Sequence, residues 1–205
     1  MSKLRTICQS GCMRKNWIEH YKSISGMKDY IFELVEKKDL EDIFTLYAER
    51  IRWMDAHGIK QWNVCQYLEL YPLSYYREQY EHGNLYSLRY AGDDLPVGAV
   101  VLRKSDERWP DKTGVPAYYI HNLVTRPGIK GAGVCILAET ERLAIEHGKR
   151  FVCLDCAVDN AALNEYYASK GYAEVGEFIE GSYCGMRREK VLPQSCPTDY
   201  FRAVF

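Results

Sequence analysis

Tyr118-Tyr119-Ile120-His121-Asn122-Leu123-Val124-Thr125-Arg126-Pro127 reads as a strand, and Gly128-Ile129-Lys130-Gly131-Ala132-Gly133 directly after it reads as a glycine-rich turn that opens a helix. Such a turn presents unpaired backbone N–H groups and the positive end of a helix dipole, and so suits a phosphate-bearing ligand. Two common phosphate loops fail on spacing. Walker A needs Lys after Gly133, where Val134 stands, and the dinucleotide fingerprint needs Gly or Ala at Ile136. Downstream, Asn160 is followed by Tyr167 and by Gly171-Tyr172, which places a polar side chain and a proton-bearing phenol close behind the turn.

Outward from this stretch the pattern is mixed α and β, with no repeats. Tyr30 to Val35 reads as a strand. Leu40, Ile43, Phe44, Tyr47, Ile51 and Met54 fall at helical spacing, and His57-Gly58 ends that helix. The tyrosine-rich run from Cys65 to Tyr80, broken by Pro72, predicts one or two short helices. Leu85 to Ala91 and Val97 to Arg103 read as strands joined at Gly92-Asp93-Asp94. Lys104 to Pro116 reads as a polar loop before the strand Tyr118 to Thr125. A helix over Gly131 to His147 follows, its inner face carrying Ile136, Leu137, Leu143 and Ala144. Phe151 to Cys156 reads as a strand, Asn160 to Lys170 as the last helix, and Tyr172 to Ile179 and Tyr183 to Lys190 as a final hairpin. Strands joined partly by helices and partly by hairpins predict a mixed α/β sheet, not a fully alternating fold.

The 205 residues and 47% apolar content suffice for one domain with extensions: residues 1–28 in front, a domain over 29–192, and a tail over 193–205. A net charge of −1 gives no electrostatic case for nucleic acid or a membrane surface. No run of about 18 apolar residues reads as a membrane span, and the start of the chain has no apolar segment of the secretory kind. The chain is expected to be cytoplasmic. A homodimer is left open.

Cys153 and Cys156 form a C-x-x-C pair, but within Phe151-Val152-Cys153-Leu154-Asp155-Cys156 alternation sends them to opposite faces. Cys8 and Cys12, with His20 beyond, lack a fourth zinc ligand at familiar spacing. Ordinary reduced thiols and no metal are expected.

Over about Tyr30 to Met186, and most densely from Tyr118 to Tyr172, the sequence resembles the GCN5-related N-acetyltransferase (GNAT) family. The resemblance rests on Leu123-Val124-Thr125-Arg126-Pro127, the turn Gly128 to Gly133, and Asn160, Tyr167, Gly171 and Tyr172. Gly128 stands where that family has Gln or Arg, the loop is about two residues short after Pro127, and Leu163 replaces a small residue. Lys130 is then the candidate for the missing cation.

The resemblance implies a mostly antiparallel, twisted sheet of six to seven strands, splayed at its centre, with helices on both faces. It implies acetyl-CoA as cosubstrate and transfer of its acetyl group to a primary amine by direct attack in a ternary complex. The N–H groups of Ile129, Lys130, Gly131, Ala132, Gly133 and Val134 are placed to receive the pyrophosphate. Leu123, Val124 and Thr125 line the cofactor strand, with Leu123 and Thr125 offering backbone groups to pantetheine, and Asn160 bonds the same arm or simply caps its helix.

Tyr167 is the candidate acid for the departing thiolate, since a phenol with an ordinary pKa of about 10 holds its proton at neutral pH. Tyr119, His121 and Leu123 alternate onto one strand face, which makes His121 the candidate base or relay, two histidines standing at the Tyr119 and His121 positions in arylalkylamine acetyltransferases. The acceptor side is expected to involve Trp53, Trp62 and Tyr119, with Tyr67, Tyr71 and Tyr183 near; such aromatics can hold an amine or simply fill the core. The acceptor is expected to be a small-molecule or amino-acid-like amine, with a macromolecular amine such as a protein N-terminus as the alternative. A non-catalytic acyl-CoA sensor is the third reading.

Overall fold

The computed structural model describes residues 30–193. The expected segment 1–28, with Cys8, Cys12 and His20, and the expected tail beyond Pro193 lie outside the described residues. Seven strands form one sheet: β1 (Tyr30–Leu34), β2 (Leu85–Tyr90), β3 (Pro96–Arg103), β4 (Ala117–Thr125), β5 (Phe151–Ala157), β6 (Ala173–Glu180) and β7 (Tyr183–Val191). Their order is β1-β2-β3-β4-β5-β7-β6. Every neighbouring pair is antiparallel except β4 and β5. The helices are α1 (Leu40–Ala56), α2 (Tyr67–Leu70), α3 (Leu73–Glu81), α4 (Ala132–Glu146) and α5 (Ala161–Ser169).

Each sheet face buries its own apolar stripe. On one side α4 and α5 cover Val100, Leu102, Tyr118, Ile120, Val152 and Leu154. On the other, α1 to α3 cover Leu85, Ala99, Val101 and Val124 with Ile43, Leu46, Tyr47 and Tyr76. β3 is buried on both faces along nearly its whole length, as a central strand must be when helices lie on both sides. α4 comes so close to β3 that a Cβ at Gly98 would stand 2.7 Å from Ile136 Cδ1, so glycine there seats the helix. Cys153 and Cys156 do sit on opposite faces, one beside Trp109 and the other beneath α5. Burial pushes their thiols up to about 12 and about 11, against thiolate character.

Two features depart from the sequence expectation. The segment Lys104 to Pro116 is not a plain polar loop. It folds over the sheet, with Trp109 only 1% exposed against Tyr119 and Cys153. Arg187 of β7 holds it there by donating to the Arg108 carbonyl at 3.1 Å and to Asp111 at 2.8 Å. The inner face of α4 also includes a carboxylate: Glu141 is buried, accepts from the Tyr172 hydroxyl at 3.1 Å and pairs with Lys190 at 2.7 Å. A buried charge that is both paired and hydrogen-bonded is tolerated where apolar periodicity predicts only aliphatics.

Candidate active site

The cleft begins where two strands part. β4 and β5 pair only from Ala117–Phe151 to Ile120–Leu154. Beyond that point β4 takes an extra residue against β3: Val101 pairs with His121 but Ala99 pairs with Val124. Asn122 carries the bulge at φ +52°, a region that Asn enters more readily than most side chains. A bulge inverts the alternation after it. Tyr119 and His121 therefore face the α1–α3 side while Leu123 packs on the α4–α5 side and Val124 returns to the α1–α3 side. The expectation that Tyr119, His121 and Leu123 share a face is corrected by this one inserted residue.

The bulge is anchored from outside. The Asn122 carbonyl accepts from the Tyr47 hydroxyl at 2.6 Å, its Oδ1 accepts from Tyr75 at 2.9 Å, and its Nδ2 donates to Tyr67. Farther along, Thr125 is paired with Gly98 while Arg126 N–H bonds the Val97 carbonyl, so the backbone groups of Thr125 face away from β3. Arg50 of α1 claims the Thr125 carbonyl and also donates to its hydroxyl at 2.6 Å. Of the backbone groups expected to meet pantetheine, the Thr125 carbonyl is therefore already occupied.

The glycine loop leads into α4 with Gly128 at φ +84° and Gly131, the residue before the helix, at φ +82°. Ile129 N–H is spent on the Arg126 carbonyl at 3.3 Å, which removes it from the donor set read from the sequence. The first helical bond runs from Cys135 N–H to the Gly131 carbonyl at 2.9 Å. Among the described residues nothing accepts from the N–H groups of Lys130, Gly131, Ala132, Gly133 and Val134. Lys130 and Gly131 are exposed and Gly133 and Val134 half-buried, while Ala132 is buried; N–H groups without acceptors at a helix N-terminus are the donor set an anionic pyrophosphate requires. Lys130 is exposed beside them. Tyr166 reaches over the same turn: a Cβ at Gly133 would stand 3.7 Å from its hydroxyl. Adjacency to Tyr167 was the only sequence signal for Tyr166, and it could not say that the phenol crosses to α4.

Asn160 caps α5, its Oδ1 accepting from Leu163 N–H at 3.0 Å. The hub nearby is Asn164, unmarked by the sequence reading. Its Nδ2 donates to the carbonyl of Ala157 at 2.9 Å and of Asn160 at 3.0 Å, while its Oδ1 accepts from Arg188 Nε at 3.0 Å. Tyr167 is 8% exposed, and among the described residues its hydroxyl has no hydrogen-bond partner. That hydroxyl is nonetheless absent from the sealed, unpartnered polar atoms, which are those of Tyr76, Thr140 and Arg187. It thus retains an opening. Burial, assisted by Cys156, Tyr166 and Asp155, raises its pKa well above the ordinary phenol value and keeps it protonated.

On the opposite face of the sheet, past the point where the strands part, lies a polar knot. His121 Nε2 stands 3.0 Å from Asp106 Oδ2, and Arg108 Nη2 stands 2.7 Å from His121 Nδ1. A guanidinium only donates, so Nδ1 holds the lone pair and Nε2–H donates to Asp106. In this arrangement the Nδ1 lone pair is turned to Arg108. Arg108 also pairs with Asp106 and with Asp155, each at 3.2 Å, reaches Glu180 at 3.9 Å, and lies over the Phe178 ring at 5.4 Å. Tyr183 donates to Asp155 at 2.8 Å. Asp106 and Arg108 went unread because they lie in the segment taken for a polar loop.

The expected acceptor aromatics divide. Tyr119 is 3% exposed under Trp109, which corrects its placement at the acceptor site: it is core, and burial pushes its hydroxyl up to about 12. Trp53 is covered by Arg50 at 5.0 Å and stacks on His57 at 4.3 Å. Trp62 stacks on Tyr67 at 4.5 Å, continuing through Tyr71 to Tyr75 in one aromatic row beside the knot.

Residues 53–172 match the family model described as acetyltransferase (GNAT) family. The chain belongs to the GNAT family. It is an acyltransferase that uses acetyl-CoA. Among solved structures, its fold is similar to a GNAT-family acetyltransferase of Listeria monocytogenes, with 23% identity, 80% of this chain and 95% of that one covered, and a TM-score of 0.66. It is also similar to the PaiA N-acetyltransferase of Thermoplasma acidophilum, solved in complex with coenzyme A, at 17% identity, 80% and 99% coverage and TM-score 0.61. A third such structure, from Staphylococcus aureus, gives 20% identity, 80% and 99% coverage and TM-score 0.58. No curated protein sequence matches the chain. No helix among the described residues is long and apolar enough to cross a membrane.

Proposed function

We propose that this GNAT enzyme acetylates a primary amine of a small molecule that enters as a cation from the α1–α3 side of the sheet. The observation carrying this reading is the charge balance of the knot: the carboxylates of Asp106, Asp155 and Glu180 converge on the single guanidinium of Arg108. A surplus of negative charge beside the aromatic row of Tyr71 and Tyr75 favours an ammonium group.

Acetyl-CoA supplies the acyl thioester. Tyr167 gives the proton to the departing sulfur from the α4–α5 side, its burial keeping the phenol protonated until then. His121 takes the amine's proton from the opposite side, once the incoming cation has driven Arg108 Nη2 off Nδ1 and onto its carboxylate partners. Asp106 holds the ring's tautomer through this exchange. Lys130 to Val134 bind the pyrophosphate, and Leu123, Thr125 N–H and Asn160 Nδ2 guide the pantetheine arm.

The test is a panel of amines with the purified protein: diamines, arylalkylamines, amino acids and peptides with free N-termini, read by release of the CoA thiol. Turnover of small cationic amines at least about tenfold above peptides, in kcat/KM, is expected. Preference for peptides would overturn the small-molecule reading, and acetyl-CoA binding without turnover of any amine would favour a sensor. For His121→Ala, loss of the acidic limb of the pH–rate profile is expected; an unaltered limb removes His121 from the base role.

A further inference from the structure

At the end of α4 away from the glycine loop, a cavity of about 300 Å3 opens among Tyr86, Leu102, Lys104, Tyr118, His147 and Lys149. α4 has 15 residues, which at 1.5 Å per residue sets this cavity roughly 20 Å from the phosphate loop. It is separate from the acetyl-CoA cleft. Tyr86, Leu102 and Tyr118 supply its floor from three adjacent strands, β2, β3 and β4, while Lys104 follows β3 and His147 and Lys149 follow α4.

The charges of this cavity are unanswered. Among the described residues no carboxylate lies within ion-pair distance of Lys104 or Lys149. Both lysines line the cavity, and burial first and the Lys104 charge second lower the pKa of Lys149. Lys149 Nζ is instead held over the Tyr118 ring, 4.9 Å from its centroid. Tyr118, whose hydroxyl burial keeps protonated, shares a hydrogen bond of 2.6 Å with His147 Nδ1.

Helix capping does not account for the arrangement. The last carbonyls of α4 already accept from backbone N–H groups: Leu143 from His147, Ile145 from Gly148 and Ala144 from Lys149. Lys104 is exposed and Lys149 half-buried, and both flank the tyrosine floor of one cavity. A cavity of this volume falls at the lower end of small-ligand sites.

We propose that this cavity binds a small organic anion, its phosphate or carboxylate between Lys104 and Lys149 and its planar body against Tyr86 and Tyr118. Phosphate and carboxylate offer the same anionic oxygens to the two ammonium groups, and an aromatic body suits the tyrosine floor.

The probe is phenyl phosphate, titrated calorimetrically into the full chain, with inorganic phosphate, benzoate and phenol as separate arms. Phenyl phosphate is expected to bind at least about tenfold more tightly than phenol or inorganic phosphate, tenfold being 1.4 kcal/mol. Benzoate matching it would make the preferred group a carboxylate. Lys104→Met with Lys149→Met should abolish this binding, Lys104→Arg with Lys149→Arg should retain it, and Gly131→Glu in the acyl-CoA loop should leave it unchanged. Should the double methionine variant fold poorly, Lys104→Gln alone, on an exposed side chain, carries the test through an expected loss of about tenfold. No heat up to about 10 mM phenyl phosphate, binding indifferent to the lysines, or binding lost in Gly131→Glu would each overturn the proposal.

Discussion

Tyr167→Phe removes one oxygen from a position where the folded protein uses it for nothing structural. The hydroxyl has no hydrogen-bond partner among the described residues, while the ring packs edge-on against Tyr166 at 5.5 Å and near Tyr172 at 6.1 Å. No hydrogen bond worth about 0.5–1.5 kcal/mol is lost with it, and the ring contacts persist in phenylalanine. The melting temperature should therefore move by less than about 2 °C. Turnover should fall by about 10²-fold or more, the contribution of a positioned acid, which is about 3 kcal/mol or more in the barrier at 1.36 kcal/mol per tenfold. The assay is thiol release from acetyl-CoA with the best amine of the panel, beside calorimetric acetyl-CoA affinity, which should stay nearly unchanged. Turnover within about threefold of the wild type, with chemistry shown to be rate-limiting, would refute the acid assignment. It would move attention to Tyr166, whose hydroxyl lies over the first turn of α4.

Gly131→Glu meets no atom within 4 Å of its Cβ but must hold φ +82°, a cost of about 1–2 kcal/mol, and it sets a carboxylate among the open N–H groups. Saturation with acetyl-CoA at about 100 times its Kd stabilises the wild type by about 2.7 kcal/mol. The mutant should lose that thermal shift, and an undiminished shift would show that the loop does not hold the cofactor. Asp106 gives the pH dependence. Burial pushes its carboxyl up, but the His121 hydrogen bond, the Arg108 charge and the hydrogen bond from the Arg108 backbone N–H outweigh this and hold it well below the usual range. Its stabilisation is therefore complete above the unfolded value of about 4 and is lost as pH falls through the acid range toward the folded value. Asp106→Asn should lower stability at pH 7 and flatten that acid limb in urea melts; an unchanged limb would contradict the pairing.

The positions of the elements along the chain and the glycine loop were legible because each rests on local chemistry: periodicity for Ile43, Phe44 and Tyr47 on α1, and backbone freedom for Gly128 and Gly131. Glu141 was not legible, because its partners Tyr172 and Lys190 are far away in sequence and only the fold brings them within reach. Trp109 escaped for a related reason. Its neighbours Glu107, Arg108 and Asp111 make the segment look solvated, while the residues that cover it belong to β4, β5 and β7. The Asn122 bulge defeats alternation altogether, since nothing local separates an asparagine at φ +52° from an asparagine in a regular strand.

That bulge also explains why the tyrosine-rich segment could be read either as core or as pocket wall. The parting of β4 from β5 needs a residue that breaks register, and a residue at positive φ persists only where its surroundings hold it. Tyr47 of α1, Tyr67 of α2 and Tyr75 of α3 all bond Asn122. Their rings meanwhile bury the α1–α3 face, with Tyr47 and Tyr76 fully covered. The same row ends at Tyr71 and Tyr75, beside the knot of Asp106, Arg108 and Asp155; electrostatic contact with Arg108 reaches both phenols. On the proposed acceptor route, packing and acceptor binding would share one set of side chains: Tyr47 and Tyr67 hold the opening of the cleft, Tyr71 would form its wall, and Tyr75 would do both. Substitution of Tyr47 or Tyr67 should alter cleft geometry and stability together, whereas substitution of Tyr71, which makes no bond to Asn122, should act on the acceptor alone.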